Sequence, residues 1–274
     1  MNYRHHFHAG NFADLVKHAG LLALLEALKR APGPLTVIDT HAGAGLYDLR
    51  GEMAVKSGEA AAGVVRLMED KVAPAVFEPL KAAVRRANPA GGLRFYPGSP
   101  ALTVGALGPK DRLVACELRD EDARTLRLNL KAGQGVEIVV ADGYATAVAK
   151  APAKGSALVL IDPPFERADD YVQIQRCVAA LLRRNRQIPV MVWLPLKDLE
   201  TFDGLLRGLE DLDPPPVLVA EARLRPLTDP MKMNGCALLL LNAPDGLEEV
   251  LRAACGWVVS ALGEPGGEAR VWRL

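Results

Sequence analysis

The stretch "LTVIDTHAGAGLYD" (residues 35–48) joins a short apolar segment to a turn that contains two glycines. The apolar and β-branched side chains of residues 35–40 predict a buried strand. Gly43 and Gly45 then permit a tight turn and a close approach of the backbone to a ligand. A buried strand followed by such a turn is typical of the first ligand-binding turn in an α/β sheet.

The spacing of these glycines separates two classes of ligand. The dinucleotide fingerprint GxGxxG requires a third glycine at position 48, where this chain has Asp48. The spacing therefore disfavours a nicotinamide oxidoreductase. It leaves the looser glycine turn that is typical of S-adenosylmethionine sites, where no pyrophosphate has to be bound, and Gly43 is expected to contact that cofactor.

Similar apolar segments recur along the chain, with helical patterns between them. Residues 217–223 and 236–242 leave little room for a helix between them and predict an antiparallel pair. The predicted fold is α/β and Rossmann-like, with the mostly parallel seven-stranded sheet of class I S-adenosylmethionine-dependent methyltransferases. Five segments predict buried parallel strands with helices on both faces: residues 35–40, 112–116, 136–141, 157–162 and 189–194.

Residues 48–95 interrupt this alternation with two helical patterns and no strand pattern between them, and they are predicted to form a small helical insertion. The methyltransferase domain then comprises residues 1–47 and 96–274. Within it, residues 1–11 are expected to form a segment on the substrate side, ahead of a helix that runs from about residue 12 to residue 29.

The composition excludes some classes of protein. The 274 residues include 33 Lys and Arg and 33 Asp and Glu, so the net charge of zero argues against a sequence-blind nucleic-acid coat. The four cysteines show no metal-like spacing and predict reduced thiols. The polar N-terminus is unlike a signal peptide, and the apolar segments are too short to cross a membrane, so a cytoplasmic protein is expected.

Acidic residues follow the second and third predicted strands. Glu117 lies 72 positions after Gly45, but removal of the 48 residues of the predicted insertion leaves 24, near the spacing expected for an acid that binds ribose hydroxyls. Asp142 and Gly143 follow the third strand, where they are expected to approach the cofactor adenine. The alternatives are a solvent-exposed acid at a strand end for Glu117 and an ordinary Asp-Gly turn for residues 142–143.

The fourth strand ends in "IDPPFE" (residues 161–166). Proline has no N–H, and each proline holds the residue before it extended, so Asp162 and Pro163 are predicted to be rigid. The Asp162 carboxylate and the Pro163 carbonyl are then two acceptors next to the aromatic ring of Phe165, which suits binding of a planar amine. We expect Asp162 to be catalytic and Pro163 and Phe165 to bind substrate. The alternative is a strand that is merely terminated by prolines.

Three stretches carry a family resemblance: "MNYRHHFHAGNFADLVKH" (1–18), "THAGAGLYDL" (40–49) and "YPGSP" (96–100). They resemble the ribosomal RNA large subunit methyltransferase J family, and the resemblance extends over nearly the whole chain. It implies S-adenosylmethionine-dependent methylation of N6 of one adenine, adenine 2030, in 23S ribosomal RNA. It also implies that Asp162 lies between cofactor and base, and that the cofactor is contacted by His18, His41, Ser99, Glu117, Asp142 and Gly143.

The resemblance further implies that Tyr3 contacts the RNA. We expect residues 1–11 to lie across the pocket, with Tyr3 and His5 on the base side and Lys17 beneath them; the alternative for Lys17 is a solvent-exposed helix face. All five histidines lie within the first 41 residues, but no cysteine or carboxylate accompanies them at metal-ligand spacing, so no metal is predicted.

Other functions remain open on the sequence. D-P-P-F also occurs in rRNA guanine-N2 methyltransferases, so guanine N2 of rRNA and adenine N6 of DNA are alternative targets. A nicotinamide oxidoreductase and a non-catalytic RNA-binding protein are alternatives from other classes. The first is disfavoured by Asp48, and the second would tolerate loss of Asp162.

Overall fold

A mixed β-sheet forms the centre of the structure, a computed structural model that describes residues 5–130, 133 and 135–274. Two strands in these ranges, β2 and β3, pair only with each other, and the other eight form one sheet in the order β10-β8-β9-β7-β6-β1-β4-β5. The strands are β1 (Leu35–Asp39), β2 (Leu46–Asp48), β3 (Phe95–Pro97), β4 (Arg112–Cys116), β5 (Val136–Val139), β6 (Ser156–Ile161), β7 (Val190–Leu196), β8 (Val217–Arg223), β9 (Gly235–Leu241) and β10 (Glu268–Arg273).

Strands β5, β4, β1, β6 and β7 are parallel, as the sequence predicted. Their carboxyl ends therefore lie at one edge of the sheet, where α/β proteins bind their ligands. In β6, every residue from Ala157 to Ile161 is buried, which explains the continuous apolar pattern.

The antiparallel part of the sheet is larger than predicted. Strand β9 pairs antiparallel with both β7 and β8, which confirms the predicted pair. An additional strand, β10, pairs antiparallel with β8, so the prediction of seven strands was wrong by one. Strand β10 lies at the edge of the sheet, where one face and one side meet solvent. Glu268 and Arg270 are therefore exposed, and Val271 is the only buried residue of the strand, which left a weak apolar pattern.

Helices cover both faces of the sheet. One core contains residues of α1, α5, α6 and α10, and the other contains residues of α7, α8 and α9. Those helices are α1 (Phe12–Leu28), α5 (Ser99–Ala106), α6 (Asp120–Leu130), α7 (Gly143–Lys150), α8 (Asp170–Arg184), α9 (Leu199–Glu210) and α10 (Leu247–Leu262), and between β2 and β3 lie α2 (Glu52–Ser57), α3 (Arg66–Glu69) and α4 (Glu78–Ala87).

The stretch between β2 and β3, residues 52–87, is largely helical. A π-helical turn, Ala61–Val65, leads directly into α3. Leu67, Phe77 and Leu80 are fully buried in the same core as α1 and α10. The helical stretch therefore packs against the methyltransferase core, and its treatment as an insertion with bounds at 48 and 95 stays a prediction.

Helix α1 has the bounds that the sequence predicted to within one residue. Asn11 caps its N-terminus by accepting a hydrogen bond from the Asp14 N–H over 2.9 Å. A short 3₁₀ turn, His5–Phe7, precedes the cap. In the described part of the chain, no helix combines the length and apolar character needed to cross a membrane.

Candidate active site

Two adjoining cavities lie at the carboxyl edge of the parallel strands. The first cavity encloses about 1000 Å³, part of it open to solvent. Most of the residues that line it follow strands β1, β4, β5 and β6 or come from helices α1 and α5. They include every residue that was predicted to contact the cofactor: His18, His41, Gly43, Ser99, Glu117, Asp142 and Gly143.

The second cavity encloses about 840 Å³ and is lined by the N-terminal residues, the end of β7 and the helical stretch after β2. Its aromatic and basic wall residues include Phe165, Trp193 and Lys197. The two cavities share one boundary, formed by His5, Lys17, Asp162, Pro163 and Pro164. The "DPP" turn and Lys17 therefore stand between two ligand-sized spaces.

The glycine turn after β1 has the geometry that requires glycine. Gly43 has a φ of +60°, and a Cβ at this position would lie 2.3 Å from the hydroxyl of Tyr47. Its N–H donates a 3.0 Å hydrogen bond to Oε2 of Glu117. The first turn of the sheet is thus tied directly to the acid that follows β4.

Glu117 lies at the predicted place, at the end of β4 and in the wall of the first cavity. Its other oxygen, Oε1, accepts a 2.8 Å hydrogen bond from the Arg119 N–H. Burial raises the pKa of Glu117 above its ordinary value. A carboxylate has about four acceptor positions, so two backbone N–H groups leave room for ribose hydroxyls. The ribose role stays a prediction.

Asp142 and Gly143 form a turn at the start of α7, as the alternative interpretation expected, and they also lie in the cavity wall, as a cofactor contact requires. Asp142 caps α7, because its Oδ1 accepts a 2.8 Å hydrogen bond from the Ala145 N–H, and the carboxylate keeps further acceptor positions for a cofactor amine. A Cβ on Gly143 would lie 1.9 Å from the carbonyl oxygen of Thr40. Glycine is therefore required here because α7 begins against the backbone that follows β1.

Two histidines of the first cavity, the buried His18 and the half-buried His41, are uncharged near neutral pH. Burial lowers the pKa of His18 to about 3 and that of His41 to about 4. Nδ1 of His18 lies 2.7 Å from the Tyr96 hydroxyl, and the ring of His41 meets that of Tyr144 edge-on at 5.1 Å. Among the described residues, Nε2 of His18 and the hydroxyl of Tyr144 have no hydrogen-bond partner.

These two buried polar atoms without partners indicate whether the residues of the first cavity suit a polar cofactor. Both belong to residues of its wall, and a buried polar atom without a partner costs about 1–3 kcal/mol. A ligand with hydroxyl, amine and carboxylate groups, such as S-adenosylmethionine, supplies hydrogen-bond partners to such atoms. The residues present therefore fit the predicted cofactor.

Ser99 has a protein partner that the sequence did not indicate. Its hydroxyl donates a 2.7 Å hydrogen bond to Oδ2 of Asp39, the fully buried last residue of β1. Burial raises the pKa of Asp39 to about 6. Ser99 lies in the cavity wall, but its hydroxyl proton is committed to Asp39, so its oxygen is left as an acceptor for a ligand.

Lys17 is the centre of a buried ion network. Its Nζ lies 2.6 Å from Oδ2 of Asp162 and 2.9 Å from Oδ1 of Asp14, and 5% of its side chain is exposed. The alternative of a solvent-exposed face for Lys17 was therefore wrong. Burial alone would lower the pKa of Lys17, but the carboxylates of Asp14 and Asp162 outweigh burial and raise that pKa well above its ordinary value.

Asp14 is a residue of the ion network that the sequence analysis did not assign to the site. Besides Lys17, it accepts hydrogen bonds on Oδ2 from the Gly10 N–H over 2.8 Å and from Nε2 of His5 over 3.1 Å. Burial opposes ionisation of Asp14, but Lys17 and His5 hold the pKa of Asp14 well below its usual range. The i, i+3 spacing of Asp14 and Lys17 was the available signal.

The "DPPF" turn is strained at its aromatic residue. Phe165 has a φ of +51°, in the left-handed region that bulky residues rarely adopt. Its ring packs at 5.1 Å from the ring of Tyr171 and at 5.8 Å from that of Trp193. Strained backbone of this kind concentrates at functional sites, and the turn directs Phe165 into the wall of the second cavity.

Of the predicted substrate residues, Tyr3 lies outside the described residues. His5 lies in the walls of both cavities, and its ring contacts that of Tyr47 at 4.9 Å. In the parts of the chain with described coordinates, no three histidine, cysteine or acidic side chains are arranged to hold a metal ion. The roles of all the predicted site residues, and the absence of a metal, stay predictions.

The parallel sheet and the glycine turn at its carboxyl edge are those of the class I methyltransferase fold. The chain also matches the sequence profile of the family described as "Ribosomal RNA large subunit methyltransferase D, RlmJ" over residues 32–274, and it belongs to this family. Membership confirms the resemblance found in the sequence, the Rossmann-like class I fold and S-adenosylmethionine as the cofactor.

Individual relatives match over nearly their whole length. Ribosomal RNA large subunit methyltransferase J of Escherichia coli (strain K12) is 33% identical over 263 residues, which cover 96% of this chain and 94% of the relative. The protein of the same name from Haemophilus influenzae is 30% identical over 264 residues, with the same coverage. The crystal structure of protein LPL1258 from Legionella pneumophila is similar with a TM-score of 0.87, at 26% identity, over 97% of this chain and 98% of that one.

Proposed function

We propose that this chain transfers a methyl group from S-adenosylmethionine to the exocyclic N6 of one adenine in 23S ribosomal RNA. The family and the names of the two bacterial relatives support methylation of large-subunit rRNA. The observation that carries the choice of an amino group is the position of Asp162 and Pro163 at the boundary between the two cavities. The cytoplasmic location predicted from the sequence agrees with an rRNA substrate.

The first cavity would hold the cofactor. When bound, S-adenosylmethionine supplies an electrophilic methyl group on a sulfonium sulfur. Glu117 would bind the ribose hydroxyls, and Asp142 and Gly143 would contact the adenine. His18 and Tyr144 would pair their buried polar atoms with the cofactor's polar groups, which supports a ligand held on several sides.

Asp162 and Pro163 would bind and orient the amine. The N6 lone pair of adenine is delocalised into the ring and is a weak nucleophile. Two acceptors that bind its two N–H groups in a tetrahedral arrangement free the lone pair for attack on the methyl group. Oδ2 of Asp162 is bound by Lys17, so Oδ1 is the oxygen left for the amine. Well-oriented reactants reach effective molarities of about 10⁵–10⁸ M, so alignment supplies most of the rate.

Lys17 would act as a positioning residue. Its raised pKa keeps it protonated, so it cannot take the proton that methylation releases. Its two ion pairs hold the Asp162 carboxylate in one orientation between the cavities. The methylated amine is acidic and needs no strong base, so Oδ1 of Asp162 can accept its proton.

The second cavity would receive the target base. A base inside a helix must leave its stack to react, at a cost of about a few kcal/mol. Stacking on an aromatic side chain returns about 1–3 kcal/mol, and Phe165 and Trp193 lie in the wall of this cavity. Residues 1–11, with Tyr3 and His5, would contact the RNA.

The test is methyl transfer to defined nucleic acids. The protein is incubated with labelled S-adenosylmethionine and, separately, with unmodified transcripts of 23S and 16S rRNA and with duplex DNA, and each product is digested to nucleosides. We expect N6-methyladenosine from 23S rRNA only, and mapping should place it at adenine 2030. N2-methylguanosine, or label in DNA, would instead assign the alternative targets, and absence of label from every substrate would exclude the enzyme activity.

A further inference from the structure

The helical stretch after β2 contacts the N-terminal residues through side chains of α2 and the residues that follow it. Glu59 accepts hydrogen bonds from Nδ1 of His8, over 2.9 Å, and from Nδ2 of Asn11, also over 2.9 Å. The hydroxyl of Ser57 donates to the carbonyl oxygen of Phe7 over 2.5 Å. Three residues of the N-terminal segment 5–11, namely Phe7, His8 and Asn11, thus form hydrogen bonds with two side chains of the helical stretch.

Backbone packing adds a third connection. The Val64 N–H donates a 2.8 Å hydrogen bond to the carbonyl oxygen of Gly10. A Cβ on Gly63 would lie 2.2 Å from that same oxygen. The helical stretch therefore approaches the N-terminal segment to backbone distance, which only a residue without a side chain allows.

The position of Glu59 is unusual for a site that receives RNA. Its side chain lies in the wall of the second cavity, where a polyanion would be repelled by a carboxylate, and 33% of it is exposed. The hydrogen bonds from His8 and Asn11 give this carboxylate a structural reason to be there. Burial opposes protonation of His8, but the hydrogen bond to Glu59 is the larger effect and raises the pKa of His8.

We propose that residues 52–87 brace the N-terminal segment over the second cavity, with Glu59 as the positioning residue for binding of the RNA nucleotide. This proposal rests on the proposed function, because it assigns the second cavity to RNA. The braced segment includes His5, which lies in both cavity walls and donates to Asp14. Asp14 in turn contacts Lys17, so the brace reaches the residue that orients Asp162.

The experiment compares three variants of the full chain with wild type. Glu59→Ala removes both acceptors, and Glu59→Gln keeps one oxygen that can accept from Asn11 or His8. Glu69→Ala is the matched control, since Glu69 is an exposed acid at the end of α3 in the same helical stretch. Each protein is assayed for kcat and KM with 23S rRNA transcript, for its affinity for S-adenosylmethionine, and for amide hydrogen exchange of residues 7–11.

For Glu59→Ala we expect kcat/KM for RNA to fall about tenfold. The affinity for S-adenosylmethionine should stay within twofold of wild type, and exchange of residues 7–11 should be faster. Glu59→Gln should recover a part of both losses, and Glu69→Ala should match wild type. Should Glu59→Ala fail to fold, Ser57→Ala removes the hydrogen bond to Phe7, together with the local contacts of the hydroxyl to Ala54 and Glu59, and should show the same pattern more weakly.

Two results would overturn the proposal. One is a Glu59→Ala variant with RNA kinetics equal to those of the Glu69→Ala control. The other is an equal loss of RNA activity and cofactor affinity, because Glu59 would then support the whole fold and not the substrate side. The exchange measurement needs no RNA, so the brace is tested even if wild type proves inactive on rRNA, an outcome that would count against the proposed function alone.

Discussion

The two cavities are built in different ways. The first is formed by turns that follow successive parallel strands of one sheet, and its wall residues include Gly43, Glu117 and Asp142. The second is formed by segments far apart in sequence, which contribute His8, Glu59 and Lys197 among others. The order of strands therefore determines the cofactor side, whereas the substrate side depends on how distant helices pack.

The cavities differ in their electrostatics as well. The first contains two neutral histidines, the buried His18 and the half-buried His41, whose pKa values are lowered by desolvation. The boundary between the cavities contains a buried cation, Lys17, between two carboxylates. Neutral imidazoles do not compete with a cofactor for the carboxylates of Glu117 and Asp142 in the same wall. A fixed ion pair suits a boundary where one carboxylate must keep its orientation.

The largest expected effect comes from a substitution at Asp162, which lies at the boundary between the two cavities. Asp162→Asn should lower the single-turnover rate of methyl transfer to 23S rRNA about 10³-fold, equivalent to about 4 kcal/mol, because the amide oxygen would face Lys17 and an NH₂ group, which cannot accept, would face the amine. Affinity for S-adenosylmethionine, measured by calorimetry, should change only several-fold. Glu166→Gln, at an exposed acid four residues further on, is the control. A rate within a few-fold of wild type would remove Asp162 from the mechanism.

Replacement of the buried cation, Lys17, tests whether the ion pairs at the boundary between the cavities stabilise the fold. Lys17→Met leaves Asp14 and Asp162 without their counter-ion and should lower the free energy of unfolding by about 3 kcal/mol in denaturant titrations. Lys154→Met, at an exposed lysine, should have no measurable effect. The double variant Lys17→Met, Asp162→Asn should recover part of the loss, and an unchanged unfolding midpoint for the single variant would contradict the ion-network assignment.

A change confined to the first cavity should separate binding from chemistry. Glu117→Ala should raise KM for S-adenosylmethionine about 30-fold, or about 2 kcal/mol, with kcat nearly unchanged, since ribose hydroxyls are present in ground and transition states alike. Steady-state kinetics at saturating RNA measure both constants. A normal KM with a collapsed kcat would show that Glu117 does not bind the ribose.

The smallest expected effect concerns acid stability. His18 has a folded-state pKa of about 3, below its unfolded value of about 6.5, so the unfolded state binds more protons between these values. Stability should therefore fall as the pH falls below about 6.5, and at pH 5.5 His18 should account for about 1.4 kcal/mol. His18→Gln should show a shallower loss between pH 7 and 5.5 in denaturant titrations. Parallel curves would mean that His18 is not buried in its neutral form.

Strands β4 and β8 have the bounds that the sequence predicted, and helix α1 ends one residue earlier than predicted. The strands could be predicted because continuous burial requires a run of apolar residues. The start of α1 could be predicted because a capping residue, Asn11, precedes it. Strand β10 was missed because an edge strand with one buried residue carries no such pattern. Lys17 was ambiguous because its partner Asp162 is 145 positions away in the chain.

The sequence by itself determined the class I fold and the family, and it placed the residues that are predicted to bind the cofactor at strand ends. Those features depend on local patterns: apolar runs, glycines at tight turns, and an acid or Asp-Gly pair directly after a strand. Only the tertiary structure decided that Lys17 is a buried partner of Asp162, that Asp14 joins it, and that Glu59 holds the N-terminal segment. Such contacts join residues that are distant along the chain, and the burial that gives them their strength exists only once the helices have packed.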